Sequence, residues 1–195
     1  MEKNLLAREV AMKTKSCHAA FIDRDGVLTK TFGNRPANVV EEIELLPGVP
    51  EGVRELREAG LLLVVVSNQG GIALGHMTEE TMLLMNARVN ELLVAAKAPP
   101  IDHFYWCAHA PNDGCICRKP SPGMLFDATR DHGIDLRRSY MVGDEVRDMD
   151  CAVRAGVPTR YVVVSDRYQD TPMATAVFAT FQQAAHVIAL KEMAR

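Results

Sequence analysis

The sequence predicts a doubly wound α/β fold, in which helices cover both faces of a parallel sheet. Short apolar runs alternate with segments of helical periodicity along most of the chain. The runs are apolar throughout, which is typical of strands that are buried on both faces of a parallel sheet. The chain has 195 residues, of which 48% are hydrophobic, so we expect one domain with a substantial core. No insertion is long enough to form a separate cap domain.

Strands and helices alternate regularly in this prediction. Thr78, followed by two glutamates, is typical of a helix start, because its side chain caps the first turn and early acids favour the helix dipole. Gly60, Gly133 and Gly156 stand where helices are expected to end in a left-handed residue. Right-handed crossovers join such units, and ligands then bind beyond the carboxyl ends of the strands. The predicted strands are residues 18–22, 61–66, 103–106, 140–142 and 159–164, and the predicted helices are residues 50–59, 78–96, 122–132 and 146–155.

Composition limits the classes of partner. We interpret residues 1–16 as a polar N-terminal extension and residues 17–195 as the domain. The net charge of -3 and the lack of a basic block argue against nucleic acid. The longest apolar run, residues 61–66, is far shorter than the roughly 18 residues that a membrane span needs, and the N-terminus lacks the apolar core of a signal peptide. We therefore expect a cytoplasmic protein that binds neither membranes nor nucleic acid; the oligomeric state stays open.

Asp23 and Asp25 follow the first predicted strand, and the chain turns directly afterwards at Gly26. One aspartate can attack phosphorus, while a second carboxylate two residues away can protonate the leaving oxygen and later activate water. An ordinary Asp-Gly turn at a strand end is the alternative. A calcium-binding EF-hand loop is excluded, because it needs glycine at its sixth position and a late glutamate.

Two further strand-end groups suit phosphate. Ser67 and Asn68 end the most apolar run, where a hydroxyl and free backbone N–H groups can hold phosphate oxygens. The same residues are also ordinary turn formers. Lys119 can neutralise both the attacking group and the transferred phosphoryl group. A lysine taken alone is nevertheless most often a solvated surface group.

Asp144 closes another apolar run, and Asp148 follows one helical turn later on the same face. Mg²⁺ prefers one or two carboxylates together with substrate phosphate and water. Asp23 and Asp144 with a backbone carbonyl would therefore suit Mg²⁺. An aspartate at a helix start can also be a simple cap.

Three cysteines and a histidine crowd into one loop, at Cys107, His109, Cys115 and Cys117. Three thiolates and one imidazole are a usual set for closed tetrahedral zinc, which leaves no open position for catalysis. The metal would therefore be structural. Without a secretion signal, the clustering favours metal binding over disulfides. Unliganded thiols or a bridge between Cys115 and Cys117 are the alternative.

These motifs, in this order, resemble those of the haloacid dehalogenase (HAD) phosphohydrolases, which carry a DxDG, a Ser/Thr, a Lys and a GDxxxD. Here they stand in residues 21–27, 64–68, 118–120 and 141–148, and the resemblance covers about residues 18–165. The cysteine-rich loop resembles the zinc loop of the branch that acts on D,D-heptose 1,7-bisphosphate and histidinol phosphate.

The resemblance implies a role for each residue of the motifs. It implies that Asp23 is the nucleophile and that Asp25 is the general acid/base, whose backbone carbonyl completes the Mg²⁺ site. Asp148 would lie behind the metal. Arg118 would contact the substrate beyond the transferred phosphate. Because no cap covers the site, we also expect the loop after Asp25 to bind substrate through Arg35, since a guanidinium can hold a second phosphate bidentately.

The function implied is that of a Mg²⁺-dependent, zinc-containing phosphomonoesterase of small phosphorylated metabolites. Heptose 1,7-bisphosphate is the expected substrate, and the alternative substrates are histidinol phosphate or a different small sugar phosphate. A catalytically silent metabolite-binding protein on the same fold is the alternative of another class. Two residues depart from the pattern. Val27 replaces a common threonine, and Glu145 occupies a place that is more often basic in relatives of both kinds. An extra carboxylate beside Asp144 favours Mg²⁺ but weakens the attraction for phosphate.

Overall fold

The computed structural model describes residues 17–33, 35–166 and 170–195. Within these ranges, six strands form one parallel sheet in the order β3-β2-β1-β4-β5-β6. The chain starts at the centre of the sheet, builds outwards to β3, and returns past β1 to build the other half. The strands are β1 (Ala19–Ile22), β2 (Leu62–Asn68), β3 (His103–Cys107), β4 (Tyr140–Gly143), β5 (Thr159–Val163) and β6 (Ala176–Phe178).

Helices cover both faces of the sheet, as predicted. The helices are α1 (Val49–Glu58), α2 (Glu79–Ala95), α3 (Gly123–His132), α4 (Val146–Ala155) and α5 (Phe181–Met193), with short 3₁₀ turns at Val40–Glu42 and Leu136–Arg138. Successive residues of a strand point to opposite faces. Ala20 and Ile22 of β1 therefore join the core beneath α1, α2 and α5, while Ala19 and Phe21 join the core beneath α3 and α4. No separate cap domain interrupts the described chain.

The predicted strands and helices are all present, with ends shifted by one or two residues. The Thr78 hydroxyl accepts a hydrogen bond from the Thr81 N–H at 3.0 Å, which confirms the predicted cap of α2. Gly133 and Gly156 have the left-handed conformation expected after α3 and α4. The sequence analysis missed β6 and α5. The predicted extension, residues 1–16, lies outside the described residues.

The amino edge of the sheet is fastened by one acid near the end of α5. Glu192 accepts a hydrogen bond from the Tyr140 hydroxyl and lies 2.7 Å from the His18 Nε2 atom. It also pairs with the Arg195 guanidinium at 2.6 Å. The last helix is thus tied to the starts of the two central strands, at the edge opposite to the one where ligands bind in such sheets. In the described ranges, no helix is long and apolar enough to cross a membrane.

Helix α5 packs closely on α1 because Gly52 has no side chain. A Cβ atom at Gly52 would lie 2.8 Å from Cε1 of Phe181 and 3.0 Å from the Ala185 Cβ. Real Cβ atoms essentially never come as close as 2.8 Å to another heavy atom. Glycine is therefore needed here for close approach, although it lowers helix propensity.

We expect Gly52→Ala to lower the free energy of unfolding by about 1 kcal/mol. Overpacking typically costs about 1–3 kcal/mol, whereas alanine gains about 1 kcal/mol in helix propensity. Urea unfolding of the variant measures the difference. Glu58→Ala, at an exposed position of the same helix, is the control and should stay within about 0.5 kcal/mol of the parent. In a Phe181→Leu background the same alanine should be tolerated; a gain of stability in the parent background would contradict the clash.

Candidate active site

The candidate site lies at the carboxyl edge of the sheet, where β1, β2 and β4 end. Because β1 lies between β2 and β4, side chains that follow these strands come together. The Asp23 N–H still donates to the Val142 carbonyl of β4 at 2.9 Å, which holds Asp23 at this junction. A cavity of about 170 Å³ opens beside it. The predicted site residues that line the cavity are Asp23, Asp25, Ser67, Asn68, Arg118 and Lys119.

Lys119 is buried between two carboxylates. Its Nζ atom lies 2.9 Å from Asp23 Oδ1 and 2.6 Å from Asp148 Oδ1. It also donates to the Val66 carbonyl of β2 at 2.8 Å. Burial alone would lower the pKa of Lys119, but the charges of Asp148 and Asp23 outweigh it and raise the pKa above its usual value. The side chain is therefore a fixed ammonium in direct contact with Asp23.

Asp148 links this ammonium to the start of α4. Its Oδ2 atom accepts hydrogen bonds from the Asp144 N–H at 3.2 Å and the Glu145 N–H at 3.0 Å. The Asp148 carboxylate is fully buried, and a Cβ atom added at Gly143 would lie only 2.4 Å from the Asp148 Cβ atom. Glycine at the end of β4 therefore makes room for Asp148. One carboxylate both caps the helix and fixes Lys119.

Asn68 holds the backbone of Lys119. Its Nδ2 atom donates to the Lys119 carbonyl at 3.0 Å, and its Oδ1 atom accepts from the Lys119 N–H at 2.9 Å. Asn68 was predicted to bind phosphate. Its amide is instead used by the neighbouring backbone, although the residue lines the cavity. Its contacts are those of a group that places Lys119.

Asp25 is surrounded by donors. Its Oδ2 atom accepts from the Gln69 Nε2 atom at 2.7 Å and lies 3.5 Å from the Ser67 hydroxyl. Its Oδ1 atom accepts from the Thr29 hydroxyl at 3.2 Å. Arg24 forms an ion pair with the same carboxylate. The aspartate is 3% exposed, so these contacts fix its orientation at the wall of the cavity.

Two guanidinium groups line the outer part of the cavity. Arg118 donates to the His109 carbonyl at 3.3 Å, so it is braced by the cysteine-rich loop. Arg147, in the first turn of α4, forms an ion pair with Glu145. Both arginines line the same cavity. The Glu145 carboxylate, which departs from the usual pattern, is thereby matched by a neighbouring positive charge.

Arg35, predicted to contact substrate, is not brought to the cavity. Its two terminal nitrogens bind the two Glu42 oxygens at 2.6 and 2.8 Å, and its guanidinium lies 4.9 Å from the centre of the Phe32 ring. The cavity is lined by its neighbour Pro36 instead. Sequence reasoning did not detect Glu42, whose paired oxygens compete with any phosphate for this guanidinium.

Three carboxylates from different elements meet beside Lys119. Oxygen atoms of Asp23, Asp144 and Asp148 all lie within 4.8 Å of one another. The Asp144 Oδ2 atom also accepts a hydrogen bond from the Ser165 hydroxyl at 2.8 Å. Carboxylate oxygens are the hard ligands that Mg²⁺ prefers. The donor set therefore fits this cation. Asp23 lines the cavity, Asp144 is fully buried, and Asp148 is paired with Lys119.

The cysteine-rich loop gathers four potential zinc ligands. The Cys107 sulfur lies 3.5 Å from the Cys115 sulfur and 3.2 Å from the Cys117 sulfur. His109 Nδ1 lies 3.5 and 3.2 Å from the sulfurs of Cys107 and Cys117. A tetrahedral zinc with Zn–S bonds of about 2.3 Å has ligand–ligand edges of roughly 3.5–3.8 Å. The thiols are free, and their spacing fits the predicted metal better than a disulfide.

Three residues of the site were not identified from the sequence. Arg24 is fully buried, and nothing in a sequence marks a buried arginine apart from its place between two aspartates. Gln69 follows Ser67 closely, but a glutamine after a strand carries little signal. Arg147 could have been found from its spacing, since it stands three residues after Asp144 on the first turn of a helix.

Comparison with known proteins finds a family model and curated relatives that match this chain. The HAD-hydrolase-like family model matches residues 116–187. The chain is 38% identical to the D-glycero-beta-D-manno-heptose-1,7-bisphosphate 7-phosphatase of Yersinia pestis, over 77% of this chain and 82% of the relative. It is 39% identical to the Escherichia coli (strain K12) enzyme of the same name, over 76% of this chain and 80% of the relative.

A solved structure agrees with these relatives. D,D-heptose 1,7-bisphosphate phosphatase from B. bronchiseptica, complexed with magnesium and phosphate, matches with a TM-score of 0.81 and 28% identity. The match covers 89% of this chain and 99% of that chain. The identity to the curated relatives extends over most of both chains, and the parallel sheet carries the motifs at its carboxyl edge. These findings confirm the predicted family: the chain belongs to the HAD-like hydrolases, and it is a phosphatase that hydrolyses phosphoric monoesters.

Proposed function

We propose that this phosphatase removes the 7-phosphate of D-glycero-D-manno-heptose 1,7-bisphosphate through an aspartyl-phosphate on Asp23. The observation that carries the mechanism is the 2.9 Å contact between Asp23 and the buried Lys119 ammonium, at the wall of a cavity that Asp25 also lines. The curated relatives named above support the choice of substrate.

The first step is attack by an Asp23 oxygen on phosphorus. A bond forms between this oxygen and phosphorus as the ester O–P bond breaks, and the leaving oxygen takes the proton that Asp25 carries. Lys119 faces the charge that spreads over the transferred phosphoryl oxygens. In the second step Asp25, now a carboxylate, takes a proton from water, and the resulting hydroxide releases phosphate from Asp23. Both aspartates return to their starting states.

Asp23, the Asp25 carbonyl and Asp144 are the proposed ligands of Mg²⁺. When bound there, the cation neutralises phosphate charge and orients the phosphate for in-line attack. Ser67 is proposed to hold a phosphate oxygen through its hydroxyl. Asp148 acts behind these groups, because its two oxygens are used by Lys119 and the start of α4.

The proposed role of Cys107, His109, Cys115 and Cys117 is to bind structural zinc. A four-ligand site is closed, so the metal would stabilise the loop without taking part in hydrolysis. Arg118 and Lys119 follow Cys117 directly. A zinc-bound cysteine-rich loop would therefore hold in place the start of the segment that carries the Lys119 ammonium.

The substrate is proposed from the charge of the outer cavity. Arg118 and Arg147 can bind the phosphate that is not transferred, because a guanidinium matches phosphate with two parallel hydrogen bonds. Histidinol phosphate carries an amine and an imidazole in place of this phosphate, and its amine would need an acid. Glu145 lines this part of the cavity, but its carboxylate is already in an ion pair with Arg147. Arg35 contributes only if substrate releases it from Glu42.

We expect Asp23→Asn to abolish turnover while the variant stays folded, because an amide has nearly the same shape but cannot attack phosphorus. Asp25→Asn should lower kcat by roughly 10²- to 10⁴-fold, the usual contribution of general acid/base catalysis. Steady-state kinetics with a phosphate ester measure both. Asp150→Asn, outside the cavity lining, is the matched control and should retain activity. Substantial activity in Asp23→Asn would contradict the covalent mechanism.

The two metals should be separable. Brief EDTA treatment is expected to stop turnover reversibly, with Mg²⁺ restoring it, while zinc remains bound. Cys107→Ser should lose zinc and melt at a lower temperature, since structural zinc couples binding to folding. For a chain of this size each kcal/mol lost lowers Tm by about 2–4 °C. Elemental analysis and thermal melts check this, with Cys17→Ser as the control. Zinc retained in full by Cys107→Ser would count against the cluster.

Heptose 1,7-bisphosphate should exceed histidinol phosphate in kcat/KM, and Arg118→Ala or Arg147→Ala should narrow the difference. Each lost charge-assisted contact should cost about 1.5–3 kcal/mol, on the order of tenfold to a hundredfold. The effect should fall on the bisphosphate alone, because histidinol phosphate has no second phosphate to lose.

The control for this comparison is Arg130→Ala, an exposed arginine of α3 that pairs with Asp127 and Asp131. It should leave both substrates unchanged. Arg35→Ala decides whether the loop after Asp25 contributes: a loss restricted to the bisphosphate means that substrate releases Arg35 from Glu42. If histidinol phosphate is the better substrate, the heptose assignment is wrong.

A further inference from the structure

Arg24 is fully buried, although its guanidinium is charged. Burying a charge is unfavourable unless partners satisfy it, and a buried ion pair often adds little net stability. Here the partner is Asp25. The Arg24 Nε atom lies 3.2 Å from Asp25 Oδ1, and its Nη2 atom lies 3.0 Å from Asp25 Oδ2. One planar group thus binds both oxygens of the carboxylate.

The opposite side of the guanidinium is fixed on helix α2. Its Nη1 atom lies 3.0 Å from the Met82 sulfur and 3.4 Å from Asn86 Oδ1. Met82 and Asn86 are four residues apart, so they share one face of the helix. Both are buried. The orientation of the guanidinium is therefore set from two sides, by α2 and by Asp25.

Neutral donors also bind Asp25. The Thr29 hydroxyl and the Gln69 amide each bind one oxygen. Loss of the Arg24 side chain would remove two bonds to the carboxylate, whereas loss of Thr29 or Gln69 would remove one bond each. Arg24 is fully buried and is not among the residues that line the cavity, so it contacts Asp25 from behind the cavity wall.

We propose that Arg24 is a positioning residue for Asp25, which it holds in the orientation that delivers a proton to the leaving oxygen. This inference rests on the proposed function, in which Asp25 is the general acid. As the proton leaves Asp25, charge develops on its two oxygens. The guanidinium meets that charge with two charge-assisted hydrogen bonds that are already in place.

The contribution of Arg24 depends on the leaving group. An alkoxide from a sugar phosphate needs the proton as its bond to phosphorus breaks. A 2,4-dinitrophenolate is stable as an anion and leaves without one. Misplacing Asp25 should therefore slow the first class of ester and spare the second, while a general loss of structure would slow both.

The test is Arg24→Lys, which keeps the charge but lacks the planar fork. We compare kcat/KM for heptose 1,7-bisphosphate, whose leaving group is a sugar alkoxide, with that for 2,4-dinitrophenyl phosphate. This parameter covers the steps up to release of the leaving group, so later hydrolysis of the aspartyl-phosphate does not enter. We expect a fall of about a hundredfold for the sugar ester, the order of loss when a catalytic group is misplaced, and a value near wild type for the aryl ester. Equal losses, or no loss for the sugar ester, overturn the inference.

One variant controls the result, and a second replaces Arg24→Lys if that variant does not fold. Val89→Ala removes buried methyl groups from the same helix without a contact to Asp25, so it should leave the ratio of the two kcat/KM values unchanged. If Arg24→Lys does not fold, Asn86→Ala replaces it and should shift the ratio in the same direction by a smaller factor; an unshifted ratio overturns the inference. A wild-type chain that hydrolyses neither ester overturns the proposed function itself, and this inference with it.

Discussion

A buried ammonium between two carboxylates is the interaction on which the site depends. Lys119 can stay charged in the interior only because Asp23 and Asp148 lie within 3 Å of its nitrogen. Asp148 in turn caps α4, and Asn68 fixes the Lys119 backbone on the end of β2. The ends of β1, β2 and β4 are thus held together by one charge network. Loss of Lys119 would leave Asp23 and Asp148 buried without their shared countercharge.

Most of the fold could be predicted from the sequence, because each central strand is apolar throughout and each early helix has a recognisable start or end. The elements that were not predicted are the last strand and the last helix of the chain. Strand β6 (Ala176–Phe178) is only three residues long and partly exposed, so it has no buried run to detect. Helix α5 carries several alanines, and its position depends on the space left by Gly52, a tertiary contact that no local pattern reveals.

The site divides in the same way. Asp23, Asp144 and Lys119 stand at strand ends or beside a recognisable loop, so their convergence follows from the sheet topology. The acidic partners of Arg24 and Arg35 could not be predicted from the sequence, because no local pattern shows which acid an arginine meets. Arg24 meets Asp25 in the interior, whereas Arg35 meets a glutamate within its own loop. Partner choice among charged side chains is a property of three-dimensional packing, and the sequence alone does not determine it.

The two edges of the sheet carry separate tasks. Glu192 fastens α5 to His18 and Tyr140 at the amino edge, while the groups proposed for catalysis stand at the carboxyl edge. Selection can therefore change the loops around the cavity without loosening the contacts that anchor the last helix, and it can adjust stability without disturbing chemistry. A scaffold with this division is evolvable: new substrate preferences arise by exchanging a few side chains on one rim, while the other rim preserves the ability to fold.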